Sequence, residues 1–293
     1  ILVTGSARLD IFQSGGDSLM GRYFQYRIHP LSVNEVINSK RDTKEVVPPS
    51  KIKDEDFNAL YEFGGFPDLF LKKNHQSSVK WHALRNKQLF YEDIKALSHI
   101  HEVAQLEVLA EILKMQTGQL LNRTSLSKKI KVTVQTISRW LETLERFYFC
   151  FQIKPWSKNI SRSLIKEPKI YLWDWSQIED AGARFENFVG SHLLKSVHFW
   201  NDSGLGNFDL YFLRDKDKKE VDFLVTKNQE PWILIEVKCS NKIISKSLKH
   251  FHLQTKSPYV FQILNDMKYV DKDCFLFKNP MVVPAKTFLS QIV

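Results

Sequence analysis

The stretch EVDFLVTKNQEPWILIEVKCS, residues 220–240, predicts two β-strands joined by a polar turn. If the chain folds back at Gln229, Asp222 lies opposite Glu236, and the alternation of side chains along a strand places Lys238 on the same face. Two carboxylates that face each other destabilise a hairpin, and burial increases the penalty. A divalent cation bound by Asp222 and Glu236 would remove the penalty, and such oxygen ligands suit Mg²⁺ or Mn²⁺. Lys238 would then offset the negative charge that develops on a phosphate under attack.

The same charges allow a second interpretation that needs no metal. By the same count Glu220 lies opposite Lys238, so Glu220, Asp222 and Lys238 would form an ordinary ion-pair cluster on an exposed strand face. A glutamate followed two residues later by a lysine is a common pattern. The hairpin alone therefore does not distinguish a catalytic site from a salt-bridge cluster.

The bulk composition restricts the class of protein and of partner. The 293 residues are 43% hydrophobic, which is enough for two or three domains, and no apolar run is long enough to cross a membrane. A net charge of +9 and a pI near 9.3 favour a polyanionic partner such as nucleic acid. Three separated cysteines without a CxxC motif are typical of a reduced, cytoplasmic protein.

The opening ILVTGS has the pattern of a buried strand, which needs neighbours on both sides, so we expect an upstream segment.

Residues 102–174 follow the element order of a winged helix. An apolar helical face begins at Val103, a short helix covers 121–130, and VQTISRWLETLERF forms a third helix before the strands FYFCFQIKPW and KIYLWD. Between residues 121 and 146, six basic residues stand against two acidic ones. In a winged helix the second helix of the turn motif enters the major groove of DNA, and the wing contacts phosphates. The residues predicted to contact DNA are Gln135, Thr136, Ser138 and Arg139 on the helix and Lys158 and Arg162 on the wing. Many winged helices mediate only protein contacts, and that alternative stays open.

After Trp175 the pattern changes to a mixture of helices and strands. We predict a helix over 179–196, strands near 197–200, 208–214, 220–227 and 231–239, a helix near 244–256 and a strand SPYVFQIL. This order, together with the hairpin, resembles the PD-(D/E)XK nuclease superfamily. The resemblance assigns Asp222 as the first acidic residue, Glu236-Val237-Lys238 as the (D/E)XK element and Glu186 as the extra helical acid. It thus implies catalytic roles for these residues, with Mg²⁺ or Mn²⁺ held by Asp222 and Glu236, although Val221 replaces the proline of the superfamily's name.

The whole chain resembles, in order, the C-terminal part of bacterial and archaeal AAA-family ATPases. In these proteins a C-terminal region of unknown function joins a winged helix to a nuclease-like domain. The matching elements are TGS (4–6), LMGR (19–22), PLSVNE (30–35), GGFP (64–67), TISRWLETLE, PKIYLWD, ARFENFVGSHL and EVDFLV with IEVK. The resemblance implies that Thr4 and Ser6 sense the γ-phosphate and that Arg22 acts on nucleotide charge. No GxxxxGK[ST] loop and no Walker B acid precede the TGS strand, so we expect ATP binding only with an N-terminal half.

Together these patterns predict an α/β multidomain protein. We expect a remnant of an AAA-type ATPase core at 1–47, a helical linker or lid at 48–101, a winged-helix domain at 102–174, and a restriction-endonuclease-like α/β domain with a central mixed sheet at 175–293. The predicted function is the C-terminal portion of an ATP-binding AAA-family ATPase whose winged helix and nuclease-like domain face DNA. A metal-dependent DNA endonuclease regulated by the ATPase and a non-catalytic protein-interaction module are the alternatives. No membrane partner is expected, and the oligomeric state stays open, with an oligomer among the alternatives.

Overall fold

A computed structural model describes residues 26–38, 44–97, 100, 102–157, 167–277 and 280–293. Its centre is a seven-stranded sheet in the order β2-β1-β3-β4-β5-β6-β7. The strands are β1 (Cys150–Pro155), β2 (Lys169–Leu172), β3 (Phe208–Arg214), β4 (Glu220–Lys227), β5 (Glu230–Lys238), β6 (Tyr259–Leu264) and β7 (Met281–Pro284). The pairs β1–β2, β3–β4 and β4–β5 are antiparallel, whereas β1–β3, β5–β6 and β6–β7 are parallel. The fold is therefore a mixed α/β fold built on one mixed sheet.

Helices pack on both faces of this sheet. They are α1 (Val33–Ile37), α2 (Asp54–Phe63), α3 (Pro67–Lys72), α4 (His75–Lys87, continued by a π-helical turn Gln88–Ile94 and a last turn Lys95–Leu97), α5 (Val103–Met115), α6 (Arg123–Ile130), α7 (Val134–Arg146), α8 (Ala181–Asp202), α9 (Lys246–Thr255) and α10 (Ala285–Gln291). Helix α8 packs on β2 to β5 and α9 on β4 to β6. Among the described residues, no helix has both the length and the apolar character that a membrane span needs.

The hairpin β4–β5 has the register that the sequence predicts. Phe223 pairs with Ile235, so the next residues along the two strands, Asp222 and Glu236, come opposite each other. The turn is formed by Asn228 and Gln229, which both have positive φ (53° and 69°), as in a type I′ turn. Between the pairs Thr226–Pro231 and Val225–Ile233, strand β5 has one residue more than β4. Beyond this bulge, paired residues are equally distant from Gln229, as the sequence predicts.

A β-bulge in β4 sets the direction of Asp222. Between the pairs Tyr211–Leu224 and Leu213–Val221, strand β4 has one residue more than β3. Val221 and Leu224 consequently belong to the same apolar cluster below α9, although they are three positions apart. The extra residue falls at Asp222 and its neighbour, and bulges of this kind often turn a side chain towards a functional site.

Helix α8 is longer than the sequence predicts, and the expected strand at 197–200 is wrong. These residues lie in the last turns of α8, which ends at Asp202. Leu193, Val197 and Trp200 are all buried, at the spacing of one helical face. The Trp200 ring also packs against Phe208 of β3, with 4.9 Å between the ring centroids. Packing against the sheet outweighs the strand preference of the local residues Val-His-Phe-Trp.

The segment before α1 is fixed to α8 by polar contacts. The Val33 N–H donates to Nε2 of the buried His192 (3.1 Å), and the Lys195 ammonium donates to the Pro30 carbonyl (2.8 Å) and pairs with Glu35. The Nδ1 of His192 donates to the Phe188 carbonyl (2.7 Å), so His192 is neutral and both of its ring nitrogens are used. The PLSVNE stretch therefore belongs to the same packed unit as the sheet.

Candidate functional site

A group of charged side chains gathers where β2, α8 and the hairpin β4–β5 meet. This acidic cluster consists of Lys169 and Tyr171 from β2, Glu186 from α8, Arg214 from β3, Glu220 and Asp222 from β4, and Glu236 and Lys238 from β5. The fold thus brings together all four residues for which the sequence suggested a catalytic role. It also adds Lys169, Tyr171 and Arg214, for which the sequence suggested no role.

Lys169 is the most deeply buried charge of the cluster. Only 3% of its side chain is exposed, and its ammonium lies 2.6 Å from Glu220 Oε1, 3.1 Å from Glu186 Oε1 and 3.9 Å from Asp222 Oδ1. Burial disfavours the charged ammonium, but the three carboxylates outweigh burial and raise the pKa of Lys169 above its ordinary value. Lys169 is therefore a fixed positive charge inside the acidic cluster at neutral pH.

Two further groups hold the carboxylates around Lys169 in place. The Tyr171 hydroxyl donates to Glu186 Oε1 (2.7 Å), and Arg214 Nη1 lies 2.5 Å from Glu220 Oε2. Gly118 lies against the Glu186 carboxylate, since a Cβ at this position would come within 3.2 Å of Oε1. Its φ of 76° favours glycine as well. Glu186 and Glu220 thus each use one oxygen for Lys169 and are oriented by a second partner.

Asp222 and Glu236 form the other half of the cluster. Asp222 Oδ2 accepts the Val237 N–H (2.8 Å), and the Lys238 ammonium lies 2.8 Å from Glu236 Oε1. Burial, followed by the charges of Glu186 and Glu236, raises the pKa of Asp222 well above its ordinary value. Burial also raises the pKa of Glu236, against the opposing effect of Lys238. The second oxygen of Glu236, Oε2, is buried and has no hydrogen-bond partner in the described part of the chain.

The predicted ion pairs differ from those observed. Lys238 contacts Glu236, and Glu220 contacts Lys169 and Arg214 instead of Lys238. The side chain of Lys238 is 42% exposed, so it faces solvent at the edge of the cluster. One feature of the sequence pointed to Lys169: it lies in KIYL, an otherwise apolar strand that is buried at every position. A lysine is rarely buried without a partner of opposite charge, so this position indicated a buried ion pair.

With Lys169 in place, the acidic cluster does not fit a divalent metal ion. Its four carboxylates face three cationic groups, which leaves a net charge of one negative unit. One further proton shared by the carboxylates is enough to neutralise the cluster. The Lys169 ammonium lies within ion-pair distance of three of those carboxylates, where Mg²⁺ or Mn²⁺ would need free oxygen ligands. Within the described ranges, no group of three or more His, Cys, Asp or Glu side chains is arranged to hold a metal.

The second candidate surface is formed by α6 and α7. Lys131 ends α6 in a left-handed conformation (φ 62°), and the Thr133 hydroxyl accepts the Thr136 N–H (3.1 Å) at the start of α7. The apolar face of α7 is buried through Ile137, Trp140, Leu141 and Leu144. The predicted contact residues Gln135, Ser138 and Arg139 are exposed, and Thr136 is half-buried. This face of α7 is therefore open to a partner.

Five other residues of the sequence-based predictions lie outside the described residues. They are Thr4, Ser6 and Arg22, expected to sense nucleotide, and Lys158 and Arg162, expected on the wing. Their roles stay predictions.

Comparison with known proteins divides the chain near residue 180. Residues 54–178 match the family model of a domain of unknown function, DUF8612, and residues 181–276 match that of another, DUF4143. An uncharacterized protein of Mycobacterium tuberculosis is 24% identical over 85% of this chain and 54% of its own length. Uncharacterized proteins of Haemophilus influenzae (24% identity, 78% of this chain, 57% of the relative) and Methanocaldococcus jannaschii (25%, 77%, 52%) are also similar. No solved structure matches the chain significantly. The chain thus spans about half the length of the curated relatives that it matches, and it contains matches to two domains of unknown function.

Proposed function

We propose that the chain is the C-terminal portion of an ATP-binding AAA-family ATPase and that helix α7 contacts DNA. The observation that carries the DNA-binding part is the exposed face of α7. Gln135, Ser138 and Arg139 lie side by side on this face, while the opposite face of the same helix is anchored in the core. Side chains of these types make hydrogen bonds to base edges and phosphates when a helix lies in the major groove.

The surroundings of α7 support the same proposal electrostatically. Lys128 and Lys129 on α6 and Lys131 in the turn are exposed. By contrast, Arg146 at the end of α7 is paired with Glu142 at 2.6 Å. Positive charge is thus concentrated on the turn and the first half of α7, which is the end that contacts bases in helix-turn-helix complexes.

The ATPase part of the proposal rests on the family resemblance and concerns the longer protein. The PLSVNE stretch, one of the elements that carry the resemblance, packs against α8 through Val33 and Glu35. A movement that follows nucleotide binding would pass through this contact to the sheet. ATP would therefore regulate the DNA-binding half and would not be bound by it.

DNA binding is tested by fluorescence anisotropy with a labelled duplex between about 50 and 200 mM salt, the range over which phosphate contacts lose most of their affinity. The double variant Gln135→Ala, Arg139→Ala should bind at least about tenfold more weakly, because each base or phosphate contact contributes roughly 1–3 kcal/mol. Its salt slope should also fall by about one unit. The matched control is Lys249→Ala, which removes an exposed positive charge from α9 and should bind as the wild type does. Equal affinity of the double variant and the wild type would refute the assignment, and absence of any salt-dependent binding would favour a protein-interaction module.

A metal-dependent DNA endonuclease is the second candidate. It requires Lys169 to leave the acidic cluster so that a metal ion can bind, and one observation favours it. The buried Glu236 Oε2, which has no hydrogen-bond partner among the described residues, lies on the strand next to Asp222. Incubation of plasmid DNA with Mg²⁺ or Mn²⁺ tests this candidate directly. Cleavage that disappears in Asp222→Ala would support it, whereas no cleavage, or cleavage that persists in that variant, would exclude Asp222 as the catalytic residue.

A further inference from the structure

We propose that Lys169 is the resident cation of the acidic cluster and that its ammonium keeps Mg²⁺ and Mn²⁺ out of the site. This inference concerns the cluster alone and does not depend on DNA binding by α7. The Lys169 ammonium compensates the charge of carboxylates that lie close together in the cluster. The endonuclease candidate would then need a state of the protein in which Lys169 has left the cluster.

The Lys169 ammonium occupies the space in which a divalent ion would bind these carboxylates. It lies between carboxylates from two different elements, at 3.1 Å from Glu186 and 2.6 Å from Glu220, and 3.9 Å from Asp222. A divalent ion that used these acids would share their oxygens with an ammonium only a few ångströms away. Two cations at such a distance repel each other strongly where water is excluded. Lys169 and a divalent ion therefore compete for the same carboxylates.

The backbone that carries Lys169 is held in the sheet. The residue is on β2, whose ladder with β1 is regular from Cys150–Leu172 to Ile153–Lys169. The neighbouring backbone is also paired, since the Leu121 N–H donates to the Pro168 carbonyl at 2.8 Å. Lys169 is thus delivered to the cluster by a strand of the sheet itself. Because this backbone is fixed, the Lys169 ammonium stays within one side-chain length of the carboxylates unless this edge of the sheet moves.

The two lysines of the cluster differ in their exposure to solvent. The Lys169 side chain is 3% exposed and that of Lys238 is 42% exposed. A lysine that neutralises charge on a substrate phosphate must reach the surface, which Lys238 does. Lys169 instead neutralises the protein's own carboxylates, those of Glu186, Glu220 and Asp222.

The test is Mn²⁺ uptake by the wild type and by Lys169→Met, which keeps most of the side-chain volume and removes the charge. Uptake is measured as the loss of the electron paramagnetic resonance signal of free Mn²⁺, together with the thermal midpoint. We expect no uptake by the wild type. Lys169→Met should bind Mn²⁺ and gain roughly 3–5 °C in midpoint at a concentration about tenfold above its Kd. The gain should be lost in Lys169→Met combined with Asp222→Asn.

Arg214→Met is the matched control, because it removes the same charge from the cluster while Lys169 stays in place, and it should take up no Mn²⁺. Stoichiometric uptake by the wild type that is lost in Asp222→Asn would overturn the proposal. A folded Lys169→Met that takes up no Mn²⁺ would overturn it as well. If Lys169→Met does not fold without metal, refolding with and without Mn²⁺ decides: recovery by Mn²⁺ supports the proposal, and no recovery contradicts it. None of these readouts uses DNA, so they do not depend on the outcome for α7.

Discussion

The acidic cluster and the α7 face each contain a basic side chain, in opposite environments. Lys169 is buried among three carboxylates, whereas Arg139 is exposed on a helix whose other face is packed. A buried charge has lost its water and depends on its partners, while an exposed charge keeps its water until a ligand replaces it. The first kind of charge serves the fold, and only the second kind is available to a partner. Stability measurements separate the two.

The largest effect is expected when the buried charge of Lys169 is removed. In Lys169→Met the free energy of unfolding at pH 7 should fall by about 3–5 kcal/mol, because Glu186, Glu220 and Asp222 lose their shared cation inside the protein. Urea unfolding measures this value, with an unchanged m-value as evidence that the native state is still compact. A loss below about 1 kcal/mol would mean that the cluster is hydrated like a surface, and the contrast with Arg139 would disappear.

A second buried group, His192, should make stability depend on pH. Burial, with a smaller contribution from the Lys195 charge, lowers the pKa of His192 to about 3 against the opposing effect of its hydrogen bond to Phe188. Unfolded chains bind a proton at this residue near pH 6.5, whereas the folded protein does not. The stabilisation by neutral His192 is therefore complete above about pH 6.5 and decreases as the pH falls towards 3.

In His192→Gln the amide keeps a donor and an acceptor but no longer titrates. Between about pH 6 and 4.5 the wild type should lose roughly 2 kcal/mol more than this variant, which corresponds to one proton. Urea unfolding at several pH values checks the difference. Parallel curves for the two proteins would show that His192 titrates in the folded state and that the contact with Val33 does not depend on a neutral ring.

A smaller effect is expected at the exposed edge of the same cluster. Arg214 is 32% exposed, and its partner Glu220 also contacts Lys169. Arg214→Met should therefore lose only about 1 kcal/mol or less in the free energy of unfolding, since water and Lys169 still compensate Glu220. If Arg214→Met were as unstable as Lys169→Met, burial would not be the reason for the importance of Lys169.

The sequence was sufficient for the hairpin but not for the environment of its acids. Local information sets the register of β4–β5, because Asn228 and Gln229 form the turn and Asp222 and Glu236 are each seven residues from Gln229. Lys169 reaches the cluster only because β1 pairs in parallel with β3, through Lys154–Tyr211 and Pro155–Phe212. No local pattern predicts a pairing between segments so far apart in the chain. The failure at 197–200 has the same origin, since packing against β3 keeps these residues helical.

The smallest effect on stability is expected for Arg139→Ala, and this variant is the sharpest test of the comparison. Because Arg139 is exposed and its helix is held by Ile137 and Trp140 on the other face, the free energy of unfolding should change by less than about 0.5 kcal/mol. Affinity for duplex DNA should nevertheless fall about tenfold at moderate salt, since one charged contact contributes about 1–3 kcal/mol. Urea unfolding and anisotropy on the same preparation measure both values. A substitution that lowers the affinity for DNA without lowering the free energy of unfolding identifies a residue that the fold does not need. Residues of a binding surface are expected to behave in this way. If stability fell in parallel with affinity, Arg139 would belong with Lys169 among the charges that serve the fold.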